Sequence, residues 1–130
     1  SPILILSVCS ISCTYKKVDL PKPSNTCVIS NTIQTHVVNM SAAISFEPKN
    51  IEIIQGDTVK WVLTGSVHST TCDGTNGTSY PSGGTTWDSG VISTVGNFYK
   101  KAITVPGTYN YICTVHGSMM TGTIVVKKRC

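Results

Sequence analysis

Charge is scarce in this chain, and so are aromatic rings. Asp, Glu, Lys and Arg make up 12% of its 130 residues, and Phe, Trp and Tyr 7%. Apolar residues hold no 3.6-residue period over any long stretch, which argues against helices. Instead the apolar runs are short, and 11 glycines and 6 prolines break them up. That pattern predicts one all-β domain with enough chain for a small core. No basic segment is interleaved with aromatic rings, so nucleic acid is excluded as a partner. The net charge of +4 comes from ten Lys and Arg against six Asp and Glu. Its basic residues sit in short groups: Lys16-Lys17, Lys100-Lys101 and Lys127-Lys128-Arg129. Solvated loops and a charged tail are the simple reading of these, and a mild preference for an acidic partner surface is the functional one.

One stretch near the C-terminal end carries most of the chemistry: Tyr109-Asn110-Tyr111-Ile112-Cys113-Thr114-Val115-His116-Gly117-Ser118-Met119-Met120-Thr121-Gly122. It puts a thiol, an imidazole and two thioethers within eight residues. These are soft or borderline donors, suited to copper rather than to calcium or magnesium. Residues 109–112 and 123–126 are rich in branched and aromatic residues and read as strands. Cys113 then ends one strand, and residues 116–120 form the turn. A trigonal copper site with a weak axial ligand needs a second histidine. His68 is the candidate, because it follows the strand-like run 58–63 and a turn at Gly65.

The order of one His, a long gap, then C-x-x-H with a Met followed two residues later by Gly resembles the cupredoxins. These are small blue-copper proteins such as plastocyanin, amicyanin, pseudoazurin and azurin. Upstream phrases share the resemblance: Phe46-Glu47-Pro48-Lys49-Asn50-Ile51, Gly56-Asp57-Thr58-Val59-Lys60-Trp61, Asp88-Ser89-Gly90-Val91 and Pro106-Gly107-Thr108-Tyr109-Asn110-Tyr111. It covers roughly residues 36–127. It implies a Greek-key β-sandwich of about seven or eight strands and one type-1 copper per chain. The implied ligands are His68, Cys113, His116 and Met120. Cys113 supplies the thiolate, against its reading as a small buried hydrophobe. In the family the C-terminal histidine has an exposed edge in an apolar patch where electrons pass, which here is His116 with Gly117, Ser118 and Met119. Met120 is preferred to Met119 as axial ligand because Gly122 lies two residues after it. His36 precedes the Gly56-Asp57 phrase, whereas the family's first ligand follows it, so His36 is left as a surface or core histidine.

Some residues depart from the family pattern. Thr114-Val115 stands where a proline is often found. Ser69 follows His68 where an asparagine usually pins the cysteine loop, and it reaches less far. Cys72, four residues after His68, opens a rival. His68, Cys72, Cys113 and His116 together have the makings of a structural zinc site, but one that leaves Met120 without a role. Otherwise Cys72 pairs with an N-terminal cysteine or packs in its loop. With Cys113 on a metal, five cysteines remain (Cys9, Cys13, Cys27, Cys72 and Cys130), an odd number for disulfides.

Residues 1–34 read as an apolar segment and a Pro/Ser/Lys linker, and residues 35–130 as the folded domain. Residues 1–12 are too short for a membrane span and fit the remnant of a secretory signal or anchor. Cys9 or Cys13 is then a candidate for lipid attachment and a membrane tether, although Val8 is large for the position before such a cysteine. Residues 73–86 form a long patternless loop. Asn39-Met40-Ser41 and Asn76-Gly77-Thr78 fit the N-glycosylation pattern, which matters only in a eukaryotic secretory pathway.

Taken together, these features predict an exported, monomeric carrier of single electrons that meets protein redox partners near His116. Three histidines are too few for a multicopper catalytic cluster, and Cys113 lacks the C-x-x-x-C partner of a binuclear centre, so no enzyme is expected. The alternatives are a copper trafficking or storage module and the zinc-stabilised interaction domain.

Overall fold

The computed structural model describes residues 27–130. The signal, anchor and lipid readings, with Cys9 and Cys13, lie outside them. Nine strands form two sheets. The first sheet has the order β2 (Ser45–Glu47), β1 (Thr35–Ser41), β4 (Thr58–Leu63), β7 (Phe98–Ala102). The second has the order β3 (Asn50–Ile54), β9 (Gly117–Lys127), β8 (Gly107–Cys113), β5 (Thr71–Cys72), β6 (Trp87–Asp88). Nine strands against an expected seven or eight reflect short pieces such as β5 and β6, each two residues long. No helix is present among the described residues.

The side-chain alternation of a strand explains the layering. In β4, Val59, Trp61 and Leu63 are buried, while Thr58, Lys60 and Val62 lie on the other face. In β9, Met120, Gly122, Ile124 and Val126 face inward. Val38 and Met40 of β1 complete the inner face opposite them. Each aliphatic side chain buried this way contributes on the order of 1.5–3 kcal/mol. An aromatic cluster fills the middle. Trp61 lies 5.2 Å from Trp87 and 5.5 Å from Tyr111, and Phe46 packs edge-on to Tyr111 at 4.6 Å.

Tyr111 pairs across the ladder with Gly122. A Cβ on residue 122 would run into the Tyr111 ring. Glycine at this position is thus a packing requirement. It lets β9 lie close over the aromatic core with Met120 two residues earlier on the same inward face.

Two connections differ from the sequence expectation. Residues 27–32, read as linker, are tied to the C-terminal end of the chain. Cys27 and Cys130 form a disulfide across a separation of 103 residues, and Val28 bridges Arg129 in parallel. Arg129 also donates to the carbonyls of Ser30, Thr32 and Gln55. Composition gave no sign of this, because the anchoring partner is at the other end of the chain. The loop 73–86 is likewise pinned. Ser79 bridges Asn110, the Thr78 hydroxyl accepts from Gly74 N–H and donates to the Thr75 carbonyl, and Thr85 N–H donates to the Tyr109 hydroxyl.

Candidate metal centre

Two strand ends and the segment that carries His68 meet at one pole of the sandwich. Cys113 closes β8, and Gly117 pairs with it to open β9, with a register shift between Ile112 and Cys113. The loop between the strands is therefore only residues 114–116. β9 starts earlier than sequence pattern suggests, because the Gly117-Ser118-Met119 run is too polar and small to read as a strand. Gly117 has φ +60°, the left-handed region that glycine enters without strain. His68 arrives from the other direction, held by a two-way bridge with Ile92 in which each backbone N–H meets the other's carbonyl.

The donors converge as the sequence suggests. One ligand atom each from His68, Cys113 and His116 lies within 4.8 Å of the others. Cys113 Sγ is 3.8 Å from His68 Nδ1 and 3.6 Å from His116 Nδ1. An ion in the donor plane, bonded to nitrogen at about 2.0 Å and to sulfur at about 2.3 Å, would hold such a pair about 3.7 Å apart. The donor set and its spacing fit a single first-row metal ion.

Neighbouring groups fix these donors. His68 is fully buried, and its Nε2 lies 2.7 Å from the Ser41 carbonyl. That contact assigns the proton to Nε2 and leaves Nδ1 as the free lone pair toward Cys113. Cys113 is fully buried and accepts the Ser69 N–H at 3.3 Å. Ser69 Oγ accepts Thr114 N–H at 2.8 Å and lies 2.7 Å from Thr114 Oγ1. Two short hydroxyls thus clip the segment of His68 to the residue after Cys113, making up for the shorter reach of serine. Thr114 is the functional residue that the sequence reading missed. Its signal was a hydroxyl directly after the thiol, facing a serine directly after the histidine.

The two methionines part company. Met120 is 1% exposed and sits in the core beside this end, whereas Met119 is 73% exposed on the opposite face of the strand. His116 is half-buried, with exposed Val115 and Met119 on its two sides in sequence.

Cys72 does not join the group. It is a free, fully buried thiol that donates to the Ser79 carbonyl at 3.3 Å. Burial, aided by the Asp73 carboxylate, pushes its pKa up to about 11, which disfavours a metal-binding thiolate. The zinc set of two thiols and two imidazoles is not assembled among the described residues. His36 lies at the other pole, 2.8 Å from Asp57 Oδ2.

A family of copper-binding proteins, the plastocyanin/azurin family, matches residues 33–127. Plastocyanin of Prochlorothrix hollandica is 34% identical over 99 residues, covering 74% of this chain and 73% of that protein. A pseudoazurin structure from Sinorhizobium is 30% identical with a TM-score of 0.56, covering 75% of this chain and 77% of its own. A copper-containing nitrite reductase from Thermus scotoductus is 28% identical with a TM-score of 0.58, but the match takes in only 22% of that chain.

Proposed function

The chain belongs to the plastocyanin/azurin family of copper-binding proteins, and on that premise we propose that it carries single electrons between protein redox partners. His68, Cys113 and His116 would hold one copper ion, with Met120 as the distant thioether. Copper supplies the one-electron change between Cu(II) and Cu(I). The chain supplies a fixed donor array, and a set that moves little between oxidation states suits a carrier. The observation that carries this reading is the convergence of one ligand atom each from His68, Cys113 and His116 within 4.8 Å, with His68 and Cys113 held from behind by Ser41, Ser69 and Thr114.

His68 and Cys113 are buried and His116 is half-buried. The ring edge of His116, flanked in sequence by exposed Val115 in the loop and exposed Met119 at the start of β9, is the route between the donors and a partner. The nitrite reductase match covers about a fifth of that enzyme, so it bears on the shared fold and not on catalysis. The Cys27–Cys130 disulfide favours an oxidising, exported setting.

Voltammetry of the copper-loaded protein tests the proposal. A reversible one-electron couple that survives repeated cycling is the expected result. Copper that binds tightly but leaves on reduction would point to trafficking instead.

A further inference from the structure

The outer face of the four-stranded sheet has a feature that the metal centre does not explain. Val37 of β1, Lys60 of β4 and Lys100 of β7 stand in one cross-strand row, and Asn39, Val62 and Phe98 in the next. Phe98 is 49% exposed. The Lys60 ammonium lies 4.3 Å from its ring centre and that of Lys100 5.9 Å away. Both are within the range of a cation–π contact. Two like charges therefore share one exposed ring. Neither lysine has a carboxylate within 4.0 Å among the described residues, where the ion pairs are His36–Asp57, Lys127–Glu52 and Arg129–Asp57. Glu47, across the sheet on β2, accepts from the Ser41 and Ser45 hydroxyls.

Lysine on an edge strand protects against edge-to-edge pairing, and that accounts for Lys100. It does not account for Lys60, which is on an interior strand between β1 and β7. An exposed aromatic ring is the kind of side chain that interfaces enrich, and the sign of the unpaired cations beside it selects an acidic counterpart and steers its approach.

We propose that this face, centred on Phe98 between Lys60 and Lys100, docks an acidic patch on a partner protein. The identity of that partner as a redox protein rests on the carrier reading above. The face adjoins the metal pole. Asn39, in the Phe98 row, is two residues, or about 7 Å along the strand, from Ser41, whose carbonyl holds His68. A partner seated there lies alongside the metal end and leaves His116 to a closer contact.

The test is an NMR titration of the 15N-labelled full chain with a ten-residue glutamate peptide. It does not involve electron transfer, so its failure and that of the carrier reading are separable by the voltammetry above. Shifts are expected to cluster on β4 and β7. Affinity should fall about tenfold between about 20 and 200 mM salt. It should fall by a similar factor in the double variant Lys60→Gln/Lys100→Gln, and less than about twofold in Lys127→Gln/Lys128→Gln. Thermal melts of both variants check that the fold is kept. Shifts spread evenly, or centred on Lys127 and Lys128, would overturn the proposal, as would unchanged affinity in the first variant. Phosphatidylglycerol vesicles form the second arm. Binding to them through β4 and β7 more tightly than to the peptide would replace the protein partner with a membrane.

Discussion

The two poles of the sandwich solve opposite problems with similar residues. At one pole His68, Cys113 and His116 face one another, with His68 fixed from behind by the Ser41 carbonyl and Cys113 by the Ser69 N–H, and the donor atoms left over converge on one another. At the other pole a histidine, a carboxylate and an arginine leave little unsatisfied. The Asp57 carboxylate, 1% exposed, accepts from Gln34 N–H, Ile54 N–H, His36 Nε2 and Arg129 Nη2. A disulfide closes that pole. β9 links the two, running eleven residues from Gly117 to Lys127, roughly 36 Å at about 3.3 Å per residue. One end is built to hold something, and the other to hold itself. A histidine marks function only where its partners leave a nitrogen free and directed at other soft donors.

If the poles are independent, changes at one should leave the other's readout untouched. The largest effect is expected from Cys113→Ser, which should abolish the visible thiolate-to-copper absorption while the denaturant midpoint of the metal-free protein moves little.

Asp57→Ala should do the reverse. It leaves Arg129 and two backbone N–H groups without their acceptor, at a cost of about 3–5 kcal/mol in urea unfolding, with the visible spectrum of the folded protein unchanged. Acid should act at the same place. Burial opposes the Asp57 charge, but the Gln34 and Ile54 N–H groups and the His36 ring outweigh it, so its pKa is held below the ordinary 3.8. A lowered carboxyl pKa contributes stability that is present above the unfolded value and is lost as pH falls through the folded one. The urea midpoint should therefore drop below about pH 4, and drop less in Asp57→Asn.

Cys130→Ser removes a cross-link spanning 103 residues and should lower stability by about 2–5 kcal/mol, again without a change of colour. Ser69→Ala is a subtler break at the metal pole. Loss of the hydroxyl that accepts Thr114 N–H should weaken copper binding about tenfold and shift the potential, measured by competition with a chelator and by voltammetry. The smallest effect is expected from Met119→Gln, with an unchanged spectrum, whereas Met120→Gln should alter colour and potential but keep the metal. A spectral change in the first and none in the second would reverse the choice of axial ligand.

Much of the metal pole was legible in the sequence because its chemistry is local. Cys113, His116 and Met120 lie within eight residues, and the branched and aromatic runs at 109–112 and 123–126 placed the strands around them. Gly122 marked the inward methionine, for the physical reason that Tyr111 occupies the space where a side chain would stand. The disulfide pole was not legible. Its contacts join residues 27–36 to 57 and 129–130, with no periodicity between them to read. Nor was the Lys60–Phe98–Lys100 group, whose members meet only once β4 and β7 pair.

The central claim is that Cys113, with His68 and His116, forms one copper site on a carrier. A Cu(II) titration of the metal-free protein, followed by visible absorption, tests it most directly. An intense blue or green band that saturates at one copper per chain, bleaches with reductant and returns with oxidant is the predicted result. A weak or colourless response at saturation would mean that Cys113 is not a copper ligand, and would contradict the account.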